Sequence, residues 1–574
     1  MNYAGLYDWQ QRREIASPFL WPVLLGLIWI CMILLANPIG NFPLNDDWAY
    51  GYSVRRLLEQ GQLRFSDWTG PNLFGQVLWG SLFCLPFGFS FTALRLSTAV
   101  LGLVGVLATY GILRELKTSR SIATLGALAL ACCPIYFALS LTFMTDVPFT
   151  AFAIASLYFF IRGMRTESRL TIAVSFVLAS VAILIRQTGL ALPVAFAFAL
   201  LTKEGIKLRY LLLALVLVAS GMAIQFAYQN WLLKSGLAPA AFNGQISRLL
   251  QQSLLGGRQI LHEAVRISFF CLMYVGLFTA PLLPLCLLNS QPEAQLSRKR
   301  FLVATALVLV LLTAYSIRVG ILMPLWRNVL DDGGVGPYPM MKPGTLRAPG
   351  FFLVAVTSLS LLGSTGVVTN LVSAVRAAYW RFRERCERNR PWVLILLVSV
   401  LAISFAPLPL LGLSDPAFSF YDRYVIIFVP ITIAISASTP SKRSSSANNS
   451  LVTGIAMLLV GLYAVFSVAA THDYLALNRM RWSAFHDLMH DAKVPASSIS
   501  GGRDFNGWYI YNEHSKDRKR EWFWFERDDY LVAFYAFDDY EIIRRYPVER
   551  WLPWKRGAGA VLVERRTAGK SQSE

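Results

Sequence analysis

Charged residues are scarce in this sequence. Asp, Glu, Lys and Arg make up 15% of its 574 residues, whereas hydrophobic residues make up 55%. Soluble globular domains carry about 25% charged residues, and disordered chains combine low hydrophobicity with high charge, so both classes are excluded. The chain contains instead repeated apolar runs of about 20 residues, the length that a helix needs to cross a bilayer. The composition therefore indicates a polytopic α-helical membrane protein.

The cysteines, the histidines and a search for nucleotide-binding motifs indicate no further class of function. The seven cysteines lie mostly in apolar runs and none follows Cys386, so neither a disulfide framework nor a cysteine-based zinc site is indicated. His486 and His490 are spaced as neighbours on a helix, but without an HExxH pattern a solvated helix face is favoured. The sequence has no P-loop, GxSxG or Rossmann fingerprint, and so shows no ATP-driven chemistry of its own.

Acidic residues are outnumbered by basic ones, and the two kinds fall in different gaps between the apolar runs. The net charge is +19, which in a soluble protein would suggest a nucleic-acid partner. Here the two kinds of gap alternate in the positive-inside pattern, so no nucleic-acid partner is expected. The alternation predicts about 13 transmembrane helices, with the N-terminus in the cytoplasm. The basic gaps are 114–120, 162–169, 203–209, 297–300 and 375–390, and the acidic gaps contain residues 46–47, 146, 331–332, 415 and 422.

Two domains are expected. Residues 1–470 would form the transmembrane domain, with a first outer loop at 37–90. That loop contains a polar helix near 47–60 and the apolar stretch 72–89, which is short, rich in Gly and Pro, and predicted to lie at the interface. Residues 471–574 carry charges throughout and predict a small extracytoplasmic α/β domain. Its strand-like stretches are 530–537, 540–548 and 560–566.

Asp46 and Asp47 follow the first apolar run, 18–36, at the water edge of the predicted membrane domain. Adjacent carboxylates repel each other, so one can hold its proton unusually tightly or the pair can share a cation. These are the properties of a general base and of a metal site. A carboxylate here is also a common helix N-cap, so the residues alone leave catalytic, metal-binding and capping roles open.

Further polar residues lie at the outer ends of other predicted spans. Asp146 follows the third span, Arg186 follows the fifth, Arg423 opens the twelfth, and Arg55 and Arg56 lie about two turns beyond the aspartate pair. Together they predict one outer-facing cavity, in which arginines bind a phosphate and carboxylates deprotonate a hydroxyl or hold a divalent cation. The structural alternatives are a helix cap for Asp146 and interfacial or ion-pairing roles for the arginines.

The order of several stretches carries a family resemblance. The acidic pair and the interfacial stretch are followed by ALRLSTAVLGLVGVLATYGILREL, then by CCPIYFALSLTFMTDVPFTAF with its acidic residue, and late in the chain by YDRYVIIFVPITIAI. In this order the sequence resembles the GT-C superfamily of polyprenyl-phosphate-sugar glycosyltransferases. The similar branch contains the protein O-mannosyltransferases and the lipid A aminoarabinose transferases. The resemblance is good over residues 18–200 and loose beyond them.

The resemblance implies roles for the candidate residues. Asp46 or Asp47 would be the base that activates the acceptor, and Asp146 would support the acceptor or, with Asp47, a divalent cation such as Mg or Mn. No other cofactor is expected. The chain departs from the family pattern in having Asp-Asp where Asp-Glu is frequent, and Gly70-Pro71-Asn72 in place of His/Lys-Pro-Pro. The residues that would contact the donor phosphate are Arg55, Arg56, Arg186 and Arg423.

The predicted function is transfer of a sugar from a polyprenyl-phosphate donor to a hydroxyl group of a lipid, glycan or protein. The reaction would take place on the outer face of a bacterial inner membrane. The alternatives are a transporter or flippase of lipid-linked saccharides, a glycan polymerase or ligase of another multispan family, and a non-catalytic scaffold in envelope glycan assembly. A transporter would place charges near the membrane midplane, whereas this chain keeps most of its charges at helix ends.

Overall fold

The computed structural model describes residues 19–239, 257–285, 298–326, 328–337, 347–383, 391–414, 420–438, 446–511, 527–554 and 560–567. These residues are mostly helical. The helices of the first part of the chain are α1 (Leu20–Ala36), α2 (Asp47–Gln60), α3 (Phe74–Cys84), α4 (Phe91–Glu115), α5 (Arg120–Ala131), α6 (Pro134–Ser140), α7 (Asp146–Thr166), α8 (Arg169–Ile185), α9 (Ala191–Glu204) and α10 (Leu208–Lys234).

The remaining helices lie between residues 257 and 510. They are α11 (Gly257–Thr279), α12 (Arg298–Val319), α13 (Gly350–Arg383), α14 (Trp392–Phe405), α15 (Leu408–Ser414), α16 (Phe428–Ala437), α17 (Ser446–His486) and α18 (Arg503–Ile510). Six short strands accompany them. They are β1 (Leu330–Asp331), β2 (Gly334–Val335), β3 (Ile499–Ser500), β4 (Tyr530–Ala533), β5 (Tyr540–Pro547) and β6 (Ala560–Arg566).

Eight helices within the described ranges are long and apolar enough to cross a membrane, and the bent pair α5–α6 would make a ninth. Helices α1, α3 and α8 are apolar but shorter, with 17, 11 and 17 residues. Because a span needs about 20 residues, α3 is too short to cross a bilayer on its own. The protein is thus mostly helical, with many membrane-length helices. The total of 13 spans stays a prediction.

The predicted helix over 121–141 is divided into two. Helices α5 and α6 are bent by 66° relative to each other at the intervening Cys132 and Cys133. Pro134 occupies the start of α6, where its missing N–H cannot donate the hydrogen bond that would continue α5. The sequence around this proline therefore explains the break.

Helices α11 and α13 approach each other through glycines. A Cβ atom on Gly363 would lie 2.1 Å from the carbonyl oxygen of Gly276, so no larger residue fits without a shift of the backbone. The hydroxyl of Ser364 donates a hydrogen bond of 2.9 Å to the carbonyl of Leu272 on the facing helix. Small residues with interhelical hydrogen bonds are a common way to pack helices that lie in lipid.

The strands form two sheets. Strands β1 and β2 make an antiparallel hairpin. The other four form one sheet in the order β3-β4-β6-β5, in which β3 pairs parallel with β4 and the remaining pairs are antiparallel. Helix α17 has 41 residues and runs past residue 470 without a break, so the predicted domain boundary falls inside this helix.

Asp473 joins helix α17 to the C-terminal sheet region. Its carboxylate accepts hydrogen bonds from the backbone N–H groups of Trp551 (2.7 Å) and Leu552 (3.1 Å), and Arg550 Nε lies 3.3 Å from Asp473 Oδ2. Asp473 is fully buried. The C-terminal residues are therefore fixed to the helical bundle by a buried, satisfied carboxylate.

Candidate active site

The two adjacent aspartates point in different directions. Asp46 is the N-cap of α2 and Asp47 is its first residue. Asp46 Oδ1 accepts a hydrogen bond of 3.1 Å from the indole N–H of Trp68, whereas Asp47 Oδ1 accepts one of 3.0 Å from the backbone N–H of Phe143. Successive helical residues are about 100° apart around the axis, so the two carboxylates diverge as soon as the helix begins.

Asp47 is closed to solvent. It is 0% exposed, and among the described residues its Oδ2 atom has no hydrogen-bond partner. Burial raises the pKa of Asp47 to about 7, although the bond from Phe143 and the charge of Arg95 act in the opposite direction. Asp47 therefore connects the first outer loop with the turn after α6, and it has little access to a ligand.

Arg423 connects Asp46 with Asp146. Its Nη2 atom lies 3.6 Å from Asp46 Oδ2, and its Nε atom lies 3.9 Å from Asp146 Oδ2. Burial disfavours the charged guanidinium, but the two carboxylates outweigh this effect and raise the pKa of Arg423 above its usual range. The side chain is 10% exposed. Three segments that are distant in sequence thus meet at one end of the helical bundle.

Arg186 completes this group on the other side of Asp146. Its Nη1 atom donates hydrogen bonds to Asp146 Oδ1 at 2.6 Å and to the hydroxyl of Thr145 at 3.1 Å. Asp146 is the first residue of α7 and Arg186 is the C-cap of α8, so the pair also joins two helix ends. We call Asp46, Asp146, Arg186 and Arg423 the acid–arginine cluster.

Aromatic rings support both arginines of the cluster. The guanidinium carbon of Arg423 lies 4.7 Å from the ring centre of Tyr421, and that of Arg186 lies 5.4 Å from the ring centre of Tyr424. Tyr50 lies one turn into α2 and is 6% exposed, and burial together with the charge of Asp46 raises the pKa of its hydroxyl above the usual range. The rings limit the orientations of the guanidinium planes.

Several buried polar atoms of the cluster have no hydrogen bond within the described part of the chain. They are Asp146 Oδ2 and the Nε and Nη1 atoms of Arg423, and the hydroxyl of Thr188, two residues after Arg186, is in the same condition. Buried polar atoms in native proteins are normally hydrogen-bonded, and leaving them without partners is costly. A polar ligand bound at the cluster would satisfy them.

Arg55 and Arg56 lie farther along α2. Arg55 Nε pairs with Glu59 at 2.9 Å on an exposed face, and the guanidinium carbon of Arg56 lies 4.3 Å from the ring centre of Tyr52. About 13 Å of helix separates Arg55 from Asp46 at a rise of about 1.5 Å per residue. The structure places these two predicted phosphate contacts outside the acid–arginine cluster.

Residues 77–227 match a protein-family model described as dolichyl-phosphate-mannose-protein mannosyltransferase. The resemblance to the protein mannosyltransferases is confirmed over this segment, which is about a quarter of the chain. The matched segment runs from α3 into α10 and contains Asp146 and Arg186, whereas Asp46 and Arg423 lie outside it. The matched segment includes two of the helices that are long and apolar enough to cross a membrane and reaches into a third.

Several solved structures are similar to this chain at low identity. The apo oligosaccharyltransferase of Archaeoglobus fulgidus is 13% identical, with 88% of this chain and 62% of that chain covered and a TM-score of 0.45. ArnT from Cupriavidus metallidurans bound to undecaprenyl phosphate is 13% identical, with 97% and 100% covered and a TM-score of 0.44. This chain spans about three fifths of the length of the archaeal enzyme. No curated protein matches the sequence.

The residues of the acid–arginine cluster and Asp47 do not fit the predicted divalent-cation site. Across the described ranges there is no group of three or more His, Cys, Asp or Glu side chains that could hold a metal ion. Both oxygens of Asp146 face arginines, and one oxygen of Asp47 accepts the N–H of Phe143. Mg and Mn prefer several oxygen ligands, and a carboxylate already beside two guanidiniums is a poor one.

Two residues near the cluster, Trp68 and Asp422, make hydrogen bonds that the sequence did not indicate. Trp68 lies in the loop between α2 and α3, and nothing in its local pattern marks it as a partner of Asp46. Asp422 precedes Arg423 but turns away from the cluster, and accepts hydrogen bonds from the backbone N–H groups of Val329 and Leu330. A conspicuous aromatic residue in a polar loop was the one available signal for Trp68.

Proposed function

We propose that this protein transfers a sugar from a polyprenyl-phosphate donor to a hydroxyl acceptor at the acid–arginine cluster. The supporting observation is the position of Arg423 between Asp46 and Asp146. A carboxylate that can accept a proton then lies beside cations that can bind a phosphate, which is the combination required for sugar transfer from a phosphate ester. The family match over residues 77–227 also supports the proposal.

Asp46 is the proposed base. Its side chain is 14% exposed, unlike that of Asp47, so an acceptor can reach it. The carboxylate takes the proton of the acceptor hydroxyl while the hydroxyl oxygen bonds to the anomeric carbon of the sugar. The bond between that carbon and the phosphate oxygen breaks, and its electron pair leaves with the phosphate. The products are the glycosylated acceptor, polyprenyl phosphate and a protonated Asp46.

Arg186 and Arg423 stabilise the departing phosphate in this proposal. Two Arg423 nitrogens have no hydrogen bond among the described residues, so they can donate to phosphate oxygens. Asp146 holds both guanidiniums in place through its two oxygens. These donors are already oriented, so they stabilise the negative charge that develops on the phosphate. They lower the barrier to sugar transfer more than mobile charges would.

The proposed setting is a bacterial inner membrane, with the N-terminus in the cytoplasm and the cluster on the outer face. The polyprenyl chain of the donor would remain in lipid while its phosphate reaches the cluster at the helix ends. The acceptor, a lipid, glycan or protein, would approach from the aqueous side. This arrangement accounts for the absence of a nucleotide-binding motif in the sequence.

The test uses the full-length protein in liposomes with undecaprenyl phosphate carrying labelled mannose, glucose or aminoarabinose, and cell-envelope extract as the acceptor source. We expect Asp46→Asn to reduce transfer at least about 100-fold, the usual contribution of a general base. Asp538→Asn, at an exposed position of the C-terminal region, is the matched control and should transfer normally. Undiminished transfer by Asp46→Asn, or no transfer by the unchanged protein from any donor, would contradict the proposal.

A further inference from the structure

Trp68 is the direct partner of the proposed base. Its indole N–H donates to Asp46 Oδ1 at 3.1 Å, while Asp46 Oδ2 faces Arg423 at 3.6 Å. One oxygen of the carboxylate is thus held by a neutral donor and the other by a cation. An N–H donor favours the charged form of a carboxylate and fixes its plane, which is what a base requires from a third group.

Trp68 is itself held by residues from two other elements. Its ring centre lies 6.1 Å from that of Trp48, near the start of α2, and 6.5 Å from that of Tyr511, just after α18. The guanidinium carbon of Arg503, the first residue of α18, lies 5.6 Å from the Trp68 ring centre. Arg503 and Tyr511, at the start of α18 and just after its end, therefore both contact this indole.

Helix α18 also fits closely against α2. A Cβ atom on Gly507 would lie 2.4 Å from the ring of Trp48, so this position accepts no side chain without a shift. Trp508, on the same helix, stacks on Phe89 with ring centres 5.7 Å apart. This contact leaves α18 little freedom to slide along the first outer loop.

A buried ion pair fixes α18 from the opposite side. Arg481 of α17 donates to both oxygens of Asp504, at 2.6 and 2.7 Å, and also to the carbonyl of Gly501. Arg481 is 0% exposed. The indole of Trp68 is consequently connected to the long helix through α18, and its position depends on the C-terminal region.

We propose that Trp68 is a positioning residue for sugar transfer, and that α18 holds its indole N–H on Asp46. The C-terminal region is then a part of the active site, since it determines the orientation of the base. This proposal rests on the proposed function, in which Asp46 accepts the proton of the acceptor. The aromatic contacts of α18 with the first outer loop thereby influence proton transfer to Asp46.

The first test is Trp68→Phe in the full-length protein, which removes the N–H but keeps a ring. We expect kcat to fall about 10-fold, the KM for the donor to stay the same, and the acidic limb of the pH–rate profile to move up, because one hydrogen bond to the charged carboxylate is lost. The matched control is Trp79→Phe, which removes an indole hydrogen bond of 2.9 Å to Ser97 and should leave the profile in place.

The second test addresses α18. Arg503→Ala should move the acidic limb in the same direction as Trp68→Phe, whereas Arg545→Ala, at an exposed position of β5, should not. One outcome separates the two proposals: Asp46→Asn is inactive, but folded Trp68→Phe keeps the pH–rate profile of the unchanged protein. This outcome would overturn the Trp68 proposal and leave the proposed function standing. Full transfer by Asp46→Asn would remove the base itself, and the Trp68 proposal with it.

Discussion

Arg186 Nη1 and Asp146 Oδ1 are 2.6 Å apart, and this ion pair joins the end of α8 to the start of α7. Asp146 is only 4% exposed, so its charge depends on the guanidinium for compensation. The same guanidinium carbon lies 5.4 Å from the ring centre of Tyr424. One arginine therefore joins two helix ends and is itself held by an aromatic ring.

Arg186→Lys should impair donor binding even though the charge is kept. A lysine ammonium cannot keep both hydrogen bonds of Arg186 and the ring contact with Tyr424, because it lacks the planar fork of a guanidinium. We expect the KM for the lipid-linked donor to rise about 10-fold, measured by steady-state transfer. Arg545→Lys is the exposed control, and equal donor KM values for the two variants would contradict the prediction.

Asp47 should make stability depend on pH. Burial raises the pKa of Asp47 in the folded state to about 7 from an ordinary value of 3.8. Between these values the unfolded chain has released the proton and the folded chain keeps it, so the free energy of unfolding falls as pH rises from about 4 to about 7. Asp47→Asn is neutral throughout. Its Tm relative to the unchanged protein should be higher at pH 8 than at pH 5.

The control for this pH effect is the exposed Asp538→Asn. Its Tm difference from the unchanged protein should be the same at both pH values. If Asp47→Asn behaved in this way too, burial of the Asp47 charge would not limit stability.

Asp422→Ala should destabilise the β1–β2 hairpin. The buried carboxylate of Asp422 accepts the N–H groups of Val329 and Leu330, and both would be left without an acceptor. Buried unsatisfied donors cost about 1–3 kcal/mol each, so we expect a loss of about 2–5 kcal/mol in the free energy of unfolding. Asp422→Asn keeps one carbonyl oxygen and should lose less. Equal losses would show that hydrogen bonding is not the cause.

Arg481→Ala should loosen the C-terminal region. Removing this arginine leaves Asp504 buried without its cation, which typically costs about 3–5 kcal/mol. We expect a lower Tm and faster proteolytic cleavage after residue 486, where α17 ends. Combining Arg481→Ala with Asp504→Asn removes both charges of the pair and should cost less than Arg481→Ala alone. A cleavage rate unchanged by Arg481→Ala would contradict the proposed attachment.

Gly507→Ala should separate α18 from α2. The added methyl group would lie 2.4 Å from the ring of Trp48, whereas Gly454 in α17 has no atom within 4 Å of its Cβ position. Gly454→Ala is thus a matched substitution without a clash, and it should stabilise its helix slightly. We expect Gly507→Ala to lower both Tm and transfer, and Gly454→Ala to lower neither. Equal behaviour of the two variants would refute close packing at Gly507.

Much of the arrangement around Asp46 could be anticipated from the sequence. The polar helix near 47–60 was expected from its pattern, and α2 occupies these residues. The alternation of charged gaps placed Asp146, Arg186 and Arg423 at the same end of the bundle as Asp46, and the structure has them in contact. Helix geometry would also have indicated that Arg55 is too far along α2 to reach Asp46.

Other features could not be anticipated. The contact of Trp68 with Asp46 spans a loop, and that of Trp68 with Arg503 joins residues more than 400 positions apart in sequence, so no local periodicity reports them. Asp46 and Asp47 point in different directions because α2 begins between them. A shift of one residue in that start would exchange their surroundings, and helix ends are the least certain part of a sequence-based prediction.

The length of α17 sets how far the C-terminal sheet and α18 lie from the start of this helix. A helix of 41 residues is about 60 Å long, roughly twice the thickness of the hydrocarbon layer, so about half of it must stand clear of the lipid tails. Asp473 and Arg481 lie on its C-terminal half and carry the sheet and α18. The helix therefore keeps the sheet and α18 at a fixed distance from its N-terminal half. Inserting a single residue before Asp473 would rotate everything beyond it by about 100° and move the sheet and α18 about 1.5 Å farther along the helix axis.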